Sequence, residues 1–252
     1  MEIFPLSRFQ NLRFQDFKKL AKDNTLSRYE KIGFPDSYRK GKEGFIFKDI
    51  RFKLSNLDKK RQLVVDIGSG CSGMSIMLIN LCRRNKHRLI LIDSKEMLSL
   101  LPNYSFITKV EAYYPDDCIN LIKEHRNRVD AILAYSLLHY VFLESNVYRF
   151  LLFSMQLLSS GGELLIGDIP NASKRKRFFS SESGIHFHQN FTNTKEIPWK
   201  EMKASVKGKI NDTLIFKLLR KARDFGFESY VVPQPSNLPM FNRREDILIR
   251  KL

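Results

Sequence analysis

The chain is short of cysteine, short of acid and without long apolar runs, and each shortage excludes something. Three cysteines in 252 residues, Cys71, Cys82 and Cys118, show no C-x-x-C spacing, so there is no metal signature and the usage fits a reducing compartment. No stretch reaches bilayer-spanning length, and the opening MEIFPLSRFQNLRF holds no apolar core of signal length. The expectation is a cytoplasmic protein with no membrane insertion. Acids number 27 against 43 Lys+Arg, a formal charge of +16. That excess points to a small anionic substrate or another anionic partner, unless it serves only solubility.

What is present is organised around residues 63–73, LVVDIGSGCSG. Val64 and Val65 read as a buried parallel strand, and Met74, Met77, Leu78, Leu81 and Cys82 recur at helical spacing just after it. Gly68, Gly70 and Gly73 spell G-x-G-x-x-G, which alone asks only for positive φ or close ligand approach at a strand's carboxyl end. Asp66 narrows the choice. A carboxylate there repels a pyrophosphate and attracts an ammonium group, which tilts the reading from a dinucleotide toward S-adenosyl-L-methionine (SAM).

The rest of the chain alternates strands with helices. Residues 14–22 read as a short amphipathic helix, and residues 27–47, which mix aromatic and cationic side chains, as a binding loop or a solvated connector. Strands are expected at 88–93, 106–113, 129–134 and 163–167, and helices at 116–125, 143–158 and 212–222. Residues 159–162, SSGG, read as a helix stop, and Ser94 as an N-cap. The segments 227–232 and 245–250 are joined by a loop too short for a crossover helix, so they should pair antiparallel. The fold class expected is α/β: a Rossmann-like, doubly wound, mostly parallel sheet with a C-terminal antiparallel hairpin. Residues 1–60 would form a helical cap and substrate loop, and residues 61–252 one compact cofactor-binding domain.

At this point VVDIGSGCSG, LILIDSKEML, VDAILAYSLLHYV and LLSSGGELLIGDIP together resemble the class I SAM-dependent methyltransferases, a likeness that covers residues 63–169. It implies a seven-stranded sheet, SAM as cofactor and a cofactor set of Asp66, Gly68, Ser69, Gly70, Cys71, Asp93, Ser94, Tyr113, Tyr135 and Ser136. Asp93, which ends the second strand, would take the ribose hydroxyls. Ser72 stands where the family often has glycine. The third strand lacks the usual Gly-Asp pair, leaving Tyr113, Tyr114 or Asp116 for adenine. GDIPNASKRKRFF and LPMFNRREDILIRK also resemble methyltransferases of bacterial surface-polysaccharide and sugar-modification clusters.

The acceptor side is drawn from scattered residues. His139, after the fourth strand, is a candidate general base or a packing residue. His186 and His188 share a face if GIHFHQNF is extended, which makes His188 a second catalytic candidate and His186 a substrate contact; no metal is expected there. His87 and His125 read as surface residues. Asp168 either meets substrate or caps the turn before Pro170. Tyr38, Arg39, Arg175 and Arg177 complete the substrate set, with SKRKRFF taken as a solvated basic loop. The reading is O-methylation of a small sugar, phosphorylated or nucleotide-linked precursor of surface glycan. RNA or protein methylation, and a noncatalytic or NAD-binding relative, are the alternatives.

Overall fold

The computed structural model describes residue 9 and residues 11–252. The signal-peptide reading therefore rests on residues that lie largely outside the described ones. Seven strands form one sheet: β1 (Leu63–Ile67), β2 (Arg88–Asp93), β3 (Ile107–Glu111), β4 (Val129–Tyr135), β5 (Leu158–Pro170), β6 (Phe227–Val232) and β7 (Arg244–Lys251). Their order is β3-β2-β1-β4-β5-β7-β6, parallel throughout except that β7 runs antiparallel to both β5 and β6. The chain order reverses beside β1, between β1 and β4. Open sheets of this kind bind ligands there, outside the strands' carboxyl ends.

The helices are α1 (Phe14–Lys22), α2 (Arg28–Lys31), α3 (Asp36–Arg39), α4 (Glu43–Lys53), α5 (Gly73–Asn85), α6 (Lys95–Ser99), α7 (Ile119–Glu124), α8 (Leu138–Glu144), α9 (Val147–Leu157), α10 (Ala172–Phe179), α11 (Glu182–Thr192), α12 (Trp199–Met202) and α13 (Asp212–Asp224). Strand alternation divides the core. Val65, Ile67, Ile132, Ala134, Leu164 and Ile166 face the layer that holds α9 and α13, whereas Val64, Ala131, Leu133 and Leu165 face α4 and α5. All five residues of β1 are buried, as a central parallel strand requires. No helix among the described residues is long and apolar enough to cross a membrane.

Several expectations fail for local reasons. The basic segment SKRKRFF is helix α10, because Asn171 accepts the backbone N–H groups of Ser173 and Lys174 at 2.9 and 3.1 Å and so starts a turn. GIHFHQNF is helical within α11, started by the Ser181 hydroxyl, which accepts Gly184 N–H at 3.2 Å; His186 and His188 therefore do not share a strand face. Residues 27–47 are mostly helical, as α2, α3 and the start of α4. The helix expected at 143–158 is two helices, with Asn146 capping the second. The second helix does stop just before residues 159–162, which continue directly as β5. His87 is buried, not at the surface: its Nδ1 accepts Gln62 N–H at 3.0 Å and its Nε2 lies 3.1 Å from Leu57 O.

Candidate active site

A narrow cavity of about 120 Å³ opens over the carboxyl ends of β1, β2 and β4. Its floor is the turn after β1. Gly68 and Gly70 have φ +70° and +58°, and a Cβ on Gly70 would stand 2.8 Å from Ile32 Cγ2, so this turn can hold only glycine without strain. Gly70 N–H donates to Asp93 Oδ2 at 2.8 Å and Ser94 N–H to Asp93 Oδ1 at 2.6 Å. These bonds fix a carboxylate that still has lone pairs for hydroxyl donors. Burial pushes the Asp93 carboxyl up to about 6, in part offset by the two N–H bonds. Beneath it, burial and then the charge of Asp93 push Asp66 up to about 8.

The N-terminus of α5 is already occupied by an anion of the chain's own. Ser72 caps it, and buried Glu43 accepts Met74 N–H at 3.2 Å. A Cβ on Gly73 would lie 2.2 Å from Glu43 Oε2. In dinucleotide folds a pyrophosphate sits at this helix end; here a carboxylate holds the place, which disfavours a diphosphate and favours a cationic ligand group.

Of the ten residues expected around the cofactor, Gly68, Ser69, Gly70, Asp93, Tyr113, Tyr135 and Ser136 line this cavity. Asp66, Cys71 and Ser94 do not; they lie behind it, buried. Tyr113 and Tyr114 both reach the wall, whereas Asp116 turns away to Arg149, 2.7 Å off. A helical cap was expected within residues 1–60, but none of its residues was named for the cofactor site. Phe14 and Phe17 of α1 cover the mouth, edge-on to Tyr113 and Tyr140 at 5.1 and 4.8 Å between ring centroids, and Phe14 N–H donates to Glu144 at 2.8 Å. Only the apolar face of α1 signalled this.

A second cavity, about 550 Å³, adjoins the first and shares Phe34 as a lining residue. Between them lies Asp168, buried and at φ +58°. Its Oδ2 accepts Ser136 Oγ at 2.5 Å and Arg39 Nη2 at 3.1 Å and stands 3.4 Å from Arg244 Nη1. Burial alone would raise this carboxyl, but Arg244, Arg39 and the Ser136 hydroxyl outweigh it and hold it below the usual range. Arg39 lines the first cavity and lies 4.1 Å over the Phe34 ring.

Tyr38, His139 and Arg175 line the second cavity. Burial, then the charge of Arg244, push the His139 imidazole down to about 3, and its Nδ1 is buried with no hydrogen-bond partner. Arg177, His186 and His188 line neither cavity. Arg177 points outward to Asp212, His186 is exposed, and His188 packs edge-on to Phe179 with 6.3 Å between ring centroids. Arg243 and Arg244, also on the second wall, lie within LPMFNRREDILIRK, but the pattern there signals only the last strand and not a cavity.

No protein-family profile matches the chain, and no curated protein matches it in sequence. Solved structures do match in shape. A candidate SAM-dependent methyltransferase of Methanococcus maripaludis is 17% identical, with 95% of this chain and 93% of that one covered at a TM-score of 0.53. The CurJ carbon methyltransferase is 15% identical, with 97% and 68% covered at 0.56. The plantazolicin methyltransferase BamL, solved with a triazolic desmethyl analogue and S-adenosylhomocysteine (SAH), is 14% identical, with 94% and 97% covered at 0.55. At these identities the likeness fixes the fold: a seven-stranded class I methyltransferase sheet closed by its antiparallel hairpin.

Proposed function

We propose that the chain is a SAM-dependent methyltransferase acting on an oxygen of a small anionic acceptor, such as a phosphorylated or nucleotide-linked sugar precursor of surface glycan. The observation that carries this is the pairing of the two cavities. One has a half-buried carboxylate, Asp93, beside a glycine turn whose helix end is filled by Glu43; the other, against the same Phe34, is lined by cations. Asp93 would bind the ribose hydroxyls, and the Gly68–Gly70 turn over buried Asp66 would hold the amino-acid end of SAM. Tyr113 and Tyr114 offer rings to adenine. Bound SAM supplies an electrophilic methyl group; the chain's own residues align an acceptor with it and keep water out, the latter through Phe14, Phe17 and Phe34.

The test is calorimetric titration with SAM, SAH and NADH. SAM and SAH are expected to bind at micromolar or tighter levels and NADH not at all. NADH binding in place of SAM would reverse the reading.

A further inference from the structure

We propose, resting on that methyl-transfer reading, that the second cavity takes its acceptor as an oxyanion and that the charged oxygen itself receives the methyl group. Five cations reach this wall: Arg175 and Lys176 from α10, Lys209 before α13, and Arg243 and Arg244 at the start of β7. Among the described residues Glu201 is the one carboxylate lining it, and Arg175 holds that at 2.7 Å. Arg244 is spent on Asp168. No carboxylate among the described residues pairs with Lys176, Lys209 or Arg243, and the Nε of Arg243 is buried without an acceptor. Like charges gathered in one concavity are costly until an anion joins them, and guanidinium forks suit oxyanions.

The same wall is badly made for taking a proton away. The charges of Arg244 of β7 and Arg39 of α3 both disfavour a proton on His139, whose buried Nδ1 has no hydrogen-bond partner and whose ring lies 3.9 Å, centroid to centroid, from Tyr140 on its own helix. The acid nearest in charge, Asp168 of β5, is already claimed by both arginines and by Ser136. A protonated His139 would be a third cation beside two. A hydroxyl acceptor needs its proton removed; a carboxylate or phosphate oxygen does not. In the balanced step, an oxyanion lone pair forms the O–CH₃ bond as the CH₃–S bond breaks. That bond's electron pair stays on sulfur, the sulfonium becomes a neutral thioether, and no proton moves.

Two measurements test this. In the first, citrate and pyrophosphate are titrated calorimetrically into the full chain without SAM, alongside Arg243→Gln and Arg177→Gln. Arg243→Gln is expected to weaken binding of at least one anion tenfold or more, while Arg177→Gln, whose side chain lies outside the cavity, stays within twofold. If neither anion binds, or both variants fall alike, the site is not an oxyanion site. In the second, methyl-tritiated SAM is supplied with the anion-exchange-retained fraction of a small-molecule extract, and the labelled product is treated with mild base and with phosphodiesterase. Label released by base as methanol marks a carboxyl ester; label released as methanol or methyl phosphate only after phosphodiesterase marks a phosphate ester. Both support the proposal. A methyl ether stable to both overturns it while leaving the methyltransferase reading intact; absence of SAM binding overturns that reading instead.

Discussion

The two cavities share a wall and differ in what their burial leaves unsatisfied. The first is narrow and roofed by aromatic rings, and the acidic groups under it are the carboxyls of Asp93 and Asp66, both pushed up by burial. It is stabilised by hydroxyl donors and by positive charge. The second is wider and its unbalanced charges are cations. It is stabilised by an anion. One residue serves both: Asp168 fixes Arg39 on the first wall and Arg244 on the second. Opposite ligand preferences are thus set a few side chains apart by which sign of charge the fold leaves unpaired.

The largest test strikes that shared wall. Lys53 Nζ, buried, holds Asp49 at 2.5 Å and Asp246 at 2.7 Å, and Asp246 Oδ1 in turn accepts Asp168 N–H at 2.7 Å. Lys53→Met leaves two buried carboxylates facing each other and should cost about 3–5 kcal/mol in urea denaturation, the range for breaking a buried pair from one side. SAM and citrate affinity should fall together. A cost under about 1 kcal/mol with both affinities intact would show that Asp168 stands without this support.

Asp93→Ala separates the cavities. It removes a carboxylate that takes two backbone N–H bonds and faces the proposed ribose, so SAM affinity should fall by about 2–3 kcal/mol, on the order of a hundredfold, by calorimetry. Citrate binding should hold within about twofold. Equal losses at both sites would mean that the cavities are not independent.

The two cavities were unequally legible in the sequence. The first could be read because its parts are local: one buried run, a glycine turn and an acid at or next to the end of each of two strands lie within residues 63–93. Phe14–Lys22 was also legible, from apolar spacing alone, though not what it covers. The second cavity draws on α3, α8, α10, α12 and β7, and no short window contains two of its walls. Lys174 to Arg177 looked like a loop because four consecutive cations mask helical spacing; Asn171 and the pair Phe178 and Phe179 were the available clues. His186 and His188 misled through their i, i+2 spacing, which favours an extended strand only where no cap precedes it, and Ser181 is such a cap. His87 misled because its neighbours are charged while both its ring nitrogens meet backbone.

Asp66 offers a smaller test, confined to the first cavity. Its carboxyl is raised from the ordinary 3.8 to about 8, so between those values the folded chain holds a proton the unfolded chain has lost. Stability from this group is therefore full below about pH 4 and is lost as pH rises toward 8. Asp66→Asn cannot ionise and should flatten the decline by on the order of 1 kcal/mol per pH unit at its steepest, measured by urea denaturation from pH 5 to 8. An unchanged slope would show that the fold already carries Asp66 ionised.

The smallest effect belongs to a cation that shares α10 with the second cavity but not its wall. Arg177 is 60% exposed at its side chain and pairs with Asp212, itself 30% exposed, across open solvent. Such pairs contribute about 0–1 kcal/mol because water screens them and two long side chains must be held still. Arg177→Gln should therefore change the unfolding free energy by no more than about 1 kcal/mol in urea denaturation. Arg175, two residues earlier, points into the cavity against Glu201, because a helix turns successive side chains by roughly 100°. If Arg177→Gln weakened anion binding as strongly as Arg243→Gln, the attraction would belong to the +16 charge of the whole chain and not to the cavity, and a steep loss of binding with added salt in both variants would accompany it.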